Sequence, residues 1–174
     1  MENRWDLSLA NVPMALEIAG GAYQGRAELG GLSLTDLTIS SGASDLEISF
    51  SEPNQVDMEE LRVSTGASST RLSGLANARF GRMRFSGGAG DFTLDFTGEM
   101  RDAAEVEVDA ALSNITLVIP EGLSTRLEVE GAMSNVDAPS SFNRSGSTYV
   151  QDGSGPTLTI LVELGAGNLE IVQP

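Results

Sequence analysis

The stretch Gly87-Gly88-Ala89-Gly90-Asp91-Phe92-Thr93-Leu94-Asp95-Phe96 admits two readings. Glycines beside an aspartate suit a loop that cradles calcium or phosphate, and they suit equally a tight turn that delivers a strand. The calcium reading fails on spacing: in the nonapeptide pattern GGxGxD the aspartate stands one position later than Asp91, and the nine-residue period is missing. The phosphate reading lacks a following Lys-Ser/Thr, a helix for the glycines to open, and a suitably spaced acidic partner. The glycines lead instead into Phe92, Leu94 and Phe96 alternating with Thr93 and Asp95, the period of a strand with one face on a core.

The same arrangement recurs along the chain. An apolar residue ends one strand, a small turn comes next, and a second residue stands seven positions after the first. The pairs are Ile18 with Gly25, Ile39 with Leu46, Val63 with Thr70, Phe85 with Phe92, Val108 with Ile115, Val129 with Val136 and Val162 with Leu169. First members lie 21, 24, 22, 23, 21 and 33 residues apart, the last interval holding an insertion. The turns carry Gly21-Ala22, Gly42-Ala43, Gly66-Ala67, Gly88-Ala89, Ala110-Ala111, Gly131-Ala132 and Gly165-Ala166. Stacked strands sit about 4.8 Å apart, which leaves little room for side chains at a sharp corner. One corner composition recurring at one period favours a β-solenoid over a sandwich of hairpins. No segment has a convincing helical period; "DMEELR" (Asp57 to Arg62) holds helix formers but is short enough for a turn only.

The expected architecture is an all-β, parallel β-helix-like solenoid of about seven coils of roughly 22 residues. Residues 1–174 form one domain, with 1–30 as N-terminal cap and first coil and 138–156 as an inserted loop. Two inward ladders are expected in chain order: Ile39, Val63, Phe85, Val108, Val129, Val162, and Leu46, Thr70, Phe92, Ile115, Val136, Leu169. Trp5 and its neighbours would cover one end, and "NLEIVQP" with Pro174 would stop the other as an edge.

Composition narrows the function. Asp and Glu number 25 against 10 basic residues, a formal net charge of −15, so binding to nucleic acid or anionic lipid is disfavoured. Every basic residue is arginine; with no lysine, histidine or cysteine the chain has no Schiff-base lysine, no Ser-His or Cys-His pair, no disulfide and none of the usual zinc sites. No catalytic, cofactor or metal residues are therefore assigned. No apolar run reaches the roughly 20 residues of a membrane helix, and Met1 to Asp6 does not open a signal peptide. Direct membrane insertion of this sequence is not expected.

With the repeat located, "LTISSGASDLEISF", "LRVSTGASSTRLSGL", "FSGGAGDFTLDFTG" and "LVELGAGNLEIVQP" resemble the toast-rack family of bacterial proteins and the related putative-adhesin and cell-wall-active antibiotic response domains. The likeness runs from about Leu29 onward. It implies a right-handed parallel β-helix-like fold on the cell envelope, outside the cell or attached to it by a signal or anchor beyond this sequence. It carries no catalytic residues to transfer.

Three groups of residues are candidates for function. Arg79, Arg82 and Arg84, in "NARFGRMRF", are the one basic concentration and either balance nearby carboxylates or recognise an acidic partner. The insertion Ala138 to Pro156 offers Phe142, Arg144 and Tyr149 as contact residues on a rigid scaffold. The carboxylates Glu47, Asp95, Glu128 and Glu170, with Asp45 and Asp91 near the corner, would line one face, as a solvated surface that blocks edge and lateral aggregation or as the acidic cluster of a carbohydrate-cleaving β-helix. The expected function is a non-catalytic structural or adhesin-like module binding a protein or a surface polymer. The alternatives are a polysaccharide-acting enzyme with paired carboxylates and a protein-docking domain of an envelope-stress regulator.

Overall fold

The computed structural model describes residues 9–132 and 135–174. Trp5, expected to cap one end, lies outside the described residues. The long strands are β1 (Met14–Glu28), β2 (Leu34–Ser49), β3 (Met58–Ser73), β4 (Phe80–Asp95), β5 (Ala104–Val118) and β10 (Ser154–Val172). Between β5 and β10 come β6 (Leu123–Gly131), β7 (Asn135–Asp137), β8 (Asn143–Ser145) and β9 (Thr148–Gln151). A single 3-10 turn, Leu75–Ala78, interrupts this all-β order among the described residues.

Each long strand bends at its small-residue corner and so serves one core with both halves. In β2, Leu37 and Ile39 point inward before the corner and Leu46 and Ile48 after it. A seven-residue gap is odd, so the corner flips the two-residue phase and returns the apolar residues to the inside. Phe85 and Phe92 meet across such a corner edge to face, ring centroids 4.9 Å apart.

The register carries both ladders from strand to strand. Ile18 stands opposite Ile39, Ile39 opposite Val63, Val63 opposite Phe85 and Phe85 opposite Val108, all in parallel pairs. Gly25, Leu46, Thr70, Phe92 and Ile115 align likewise. At Gly88 an added Cβ would stand 2.7 Å from the carbonyl oxygen of Gly66 on the neighbouring strand, so close stacking selects the glycine.

The stack then departs from chain order. The spatial order is β1-β2-β3-β4-β5-β10-β6, so the last strand enters the sheet between β5 and β6. Val108 faces Val162, and Val162 faces Val129; Ile115 faces Leu169, and Leu169 faces Val136. The C-terminal segment, expected as an edge, is thus an interior strand paired on both sides. Register also moves one corner: Ala89 aligns with Leu112 and Ala166 with Leu112, so the fifth pair is Ala111-Leu112 and not Ala110-Ala111. "DMEELR" is no turn, since β3 begins at Met58. Its Met58 and Leu61 are both buried, a three-residue step shared by Leu34 with Leu37 and Phe80 with Met83, and this step imitates helical spacing.

Amide side chains tie the loops to the strands. Buried Asn54 accepts from the Leu34 N–H at 2.9 Å and donates to the carbonyls of Leu34 and Val56, both at 2.7 Å. Asn77, in the next loop, donates to the Phe50 carbonyl at 2.9 Å and accepts from the Glu99 N–H at 2.9 Å. Gln151 donates to the carbonyls of Pro120 and Leu123, each at 2.9 Å. The far end is covered by the hairpin β8–β9, with β9 antiparallel to β6 and Tyr149 opposite Leu127.

Candidate interaction surface

The arginines of "NARFGRMRF" divide into two roles. Arg82 and Arg84 alternate with buried Met83 and Phe85 on β4 and therefore face outward. Register sets Arg82 between Glu60 and Glu105, and Arg84 between Arg62 and Glu107. Arg84 Nε lies 3.1 Å from Glu107 and 3.7 Å from Glu60, while Arg82 lies 3.6 Å from Glu105 and Arg62 2.7 Å from Glu60. These side chains are exposed, Glu60 only partly, so each pair contributes at most about 1 kcal/mol and leaves donors facing water. Arg79 is different. It sits in the left-handed region (φ 56°) where the closing loops cross, pairs with Asp57 and donates to the Asn54 carbonyl at 3.2 Å. Its role is to tie loop to loop.

Beyond β5 the same outward face becomes acidic. Asp109 stands beside Glu163, and Glu163 beside Glu130; Glu128 faces Leu161. A basic band on β3 and β4 therefore adjoins an acidic field on β5, β10 and β6, and the face is bipolar.

The insertion contributes core as well as surface. Phe142 (8% exposed) and Tyr149 (4% exposed) join the hydrophobic core and are not free contact residues. Arg144 remains outside, its guanidinium 5.3 Å from the centroid of the Tyr149 ring. Sequence pattern alone hides this, because the hairpin's apolar residues lie in a Ser/Gly-rich setting that looks like loop.

Of the carboxylates expected to share one face, Glu47, Asp95 and Glu170 face outward after the corner, and Glu128 does not join them. Glu47 and Glu170 stand in one column after the corner, but β3, β4 and β5 separate them, so four strand steps make about 19 Å. Glu128 lies before the corner, in the other half of the coil. Asp45 accepts from Gln24 at 2.9 Å and Asp91 from Asn114 at 2.9 Å, and Asn114 in turn accepts from Asn168 at 3.0 Å, a polar ladder along the corner. The stretch Gly87 to Phe96 thus places Asp91 in a strand-to-strand hydrogen bond. Near the β1 end an open depression of about 430 Å³ is lined by Gln24, Arg26, Asp45, Glu47, Ser69 and Arg71. Among the described residues no three carboxylates converge as metal ligands would.

Comparison with known proteins agrees with this architecture. Residues 1–59 match the family model described as the N-terminal domain of toast_rack, DUF2154. No curated protein matches the chain. Among solved structures, a "putative cell adhesion protein" from Clostridium sporogenes shares the fold at 19% identity and a TM-score of 0.56, over 66% of this chain. The chain spans 55% of that protein's length. The family match falls on the N-terminal third, taking in the phrase Leu37 to Phe50 together with the first coil, where the corner pattern is weakest. The resemblance to toast-rack and adhesin-like proteins read from the corners therefore holds, in the first coils by sequence and over two thirds of the chain by fold.

Proposed function

We propose that this chain is a non-catalytic, envelope-associated module, adhesin-like in role, whose partner is a protein or a surface polymer. Its strands wind as a right-handed parallel β-helix-like solenoid of about seven coils within one domain, the hand favoured for parallel crossovers. The bipolar outward face is the observation that carries the reading: Arg62, Arg82 and Arg84 border Glu105, Glu107, Asp109, Glu163 and Glu130 on a rigid sheet. Such a face selects a partner by charge complementarity and register, in keeping with the adhesion-type protein that shares the fold. The contact residues are Arg82 and Arg84, with Arg144 at the hairpin; Arg79, Phe142 and Tyr149 support them from within. Glycan cleavage draws no support from Glu47 and Glu170, whose separation exceeds the roughly 10 Å within which paired carboxylates work. As the protein-docking domain of an envelope-stress regulator, the chain would use the same face.

The test is binding of the purified chain to isolated envelope material at increasing salt. Binding should weaken as salt rises, and Arg82→Ala/Arg84→Ala should lower affinity about tenfold while the circular dichroism stays unchanged. Salt-independent binding that the double variant retains would remove the bipolar face from the account.

A further inference from the structure

The two ends of the stack are not alike. At the far end the hairpin β8–β9 covers β6. At the near end β1 pairs with β2 alone, and its other side has no partner among the described residues. Its inward residues Met14, Leu16, Ile18 and Ala27 are only half-buried, with no layer of the described residues beyond them. An unpaired strand of 15 residues with apolar residues at its lip is a template for another strand.

We propose that a second copy of this chain closes that end, β1 pairing antiparallel with β1 of the copy about a two-fold axis through the corner. A strand bent at its middle has two arms, and a two-fold axis along the bisector lays each arm on the other arm of the copy. Pairs must then be symmetric about the Gly21–Ala22 peptide, and β1 has that symmetry. Inward Ile18 meets Gly25, and inward Leu16 meets Ala27, a large residue over a small one in both cases. Outward Glu17 meets Arg26, twice by symmetry. The neighbouring registers are worse. A shift of one residue sets inward side chains against outward ones, and a shift of two in one direction opposes Glu17 with Glu28.

Charge along the stack points to the same occupant. Arg26 pairs with Glu47 at 2.7 Å, and Glu47 stands beside Arg71 in register, so the column alternates in sign. Glu17 of the second copy is the next residue the alternation asks for. The β1 end is also nearly neutral, with Glu17 and Glu28 against Arg26, whereas β5, β6 and β10 carry Glu105, Glu107, Asp109, Glu128, Glu130, Glu163 and Glu170 against Arg126 alone. Two copies of so acidic a chain approach most readily through this end. Head-to-tail stacking into fibres is blocked by the hairpin at the far end, which leaves the closed two-fold pair. The pair would carry a hairpin at each distal end and so present two contact surfaces.

Sedimentation of the full chain at micromolar concentration tests this. The wild type should sediment at twice the chain mass. Arg26→Glu, which opposes like charges at both contacts, should weaken association more than tenfold, and Glu17→Arg/Arg26→Glu should restore it. Opposed residues of an antiparallel pair lie about 4.5–5.5 Å apart, within disulfide reach. The chain has no cysteine of its own. Oxidised Glu17→Cys/Arg26→Cys should therefore give a covalent dimer that reductant dissolves. A monomeric wild type, its end closed in some other way, would overturn the proposal. So would Arg26→Glu associating like the wild type, or a folded cysteine variant that fails to cross-link.

Discussion

Asn54 shows how much one polar side chain can hold in a fold of this kind. It makes three hydrogen bonds to main chain at the start of β2 and in the loop that closes the coil, and it is 1% exposed. Asn54→Ala should cost roughly 2–3 kcal/mol in urea unfolding, since the Leu34 groups would stay buried without partners. Glu28 is a milder case with a pH signature. Burial pushes its carboxyl up, but donation from the Ser51 N–H, the Ser49 hydroxyl and the Gly30 N–H outweighs burial and holds it below its ordinary value. A depressed folded value means stability present above the unfolded carboxyl range and lost as pH falls through the folded one. The wild type should therefore exceed Glu28→Gln in unfolding free energy from urea titration near neutral pH, by a few tenths of a kcal/mol at so exposed a site, and match it in strong acid. At the corner, Gly90 has φ 152° and an added Cβ would stand 1.8 Å from the Ser68 carbonyl oxygen. Gly90→Ala should lower the melting temperature by several degrees, while Asp91→Ala, which loses one exposed hydrogen bond to Asn114, should barely move it.

Among elements, the hairpin β8–β9 separates what sequence shows from what it hides. The long strands were legible because Leu46, Ile48 and Phe50, or Phe92, Leu94 and Phe96, alternate on one face and repeat at one period. The hairpin has three- and four-residue strands, too short for alternation to register, and its core residues Phe142 and Tyr149 stand seven apart in polar surroundings. Its partnership with β6 is antiparallel, so it shares neither the period nor the corner of the coils. The outward arginines could be located from Arg82 and Arg84 alternating with Met83 and Phe85. Their partners could not, because Glu60, Glu105 and Glu107 reach them only through register across three strands. Deleting residues 140–154 should accordingly do more than trim a loop. It uncovers Leu127 and the hydrogen-bonding side of β6, so the variant should aggregate on mild heating, seen as light scattering at temperatures where the wild type stays clear.

Across the whole molecule, the position of β10 changes what kind of stack this is. In a sequential solenoid each coil touches only its neighbours in the chain, and removing either terminal coil trims the array by one layer. Here β10 is paired with β5 along Leu158 to Val172 on one side, and on the other with β6 and β7. Every strand pairing that links the first five strands to the last layer therefore passes through the end of the chain. β6, made earlier, has no parallel neighbour until β10 arrives, so its pairing closes a long segment of chain. The two termini should then differ sharply in what they support. Deleting residues 1–27 removes β1 and one interface, and should leave a cooperative thermal transition at lower temperature. Deleting residues 155–174 removes two interfaces and the inward Leu158, Ile160, Val162, Leu164, Leu169 and Ile171, each buried and worth about 1.5–3 kcal/mol before entropy is counted. That gross loss is of the same size as the 5–15 kcal/mol by which folded domains are commonly stable. The C-terminal deletion should show no cooperative transition by circular dichroism and exchange its β6 amides within the dead time. In the intact chain, amides of β10 should be among the slowest to exchange, slower than those of β1. Equal protection at the two termini, or a cooperative transition after the C-terminal deletion, would mean that the stack is held chiefly by its sequential neighbours and that the inserted strand only fills a gap.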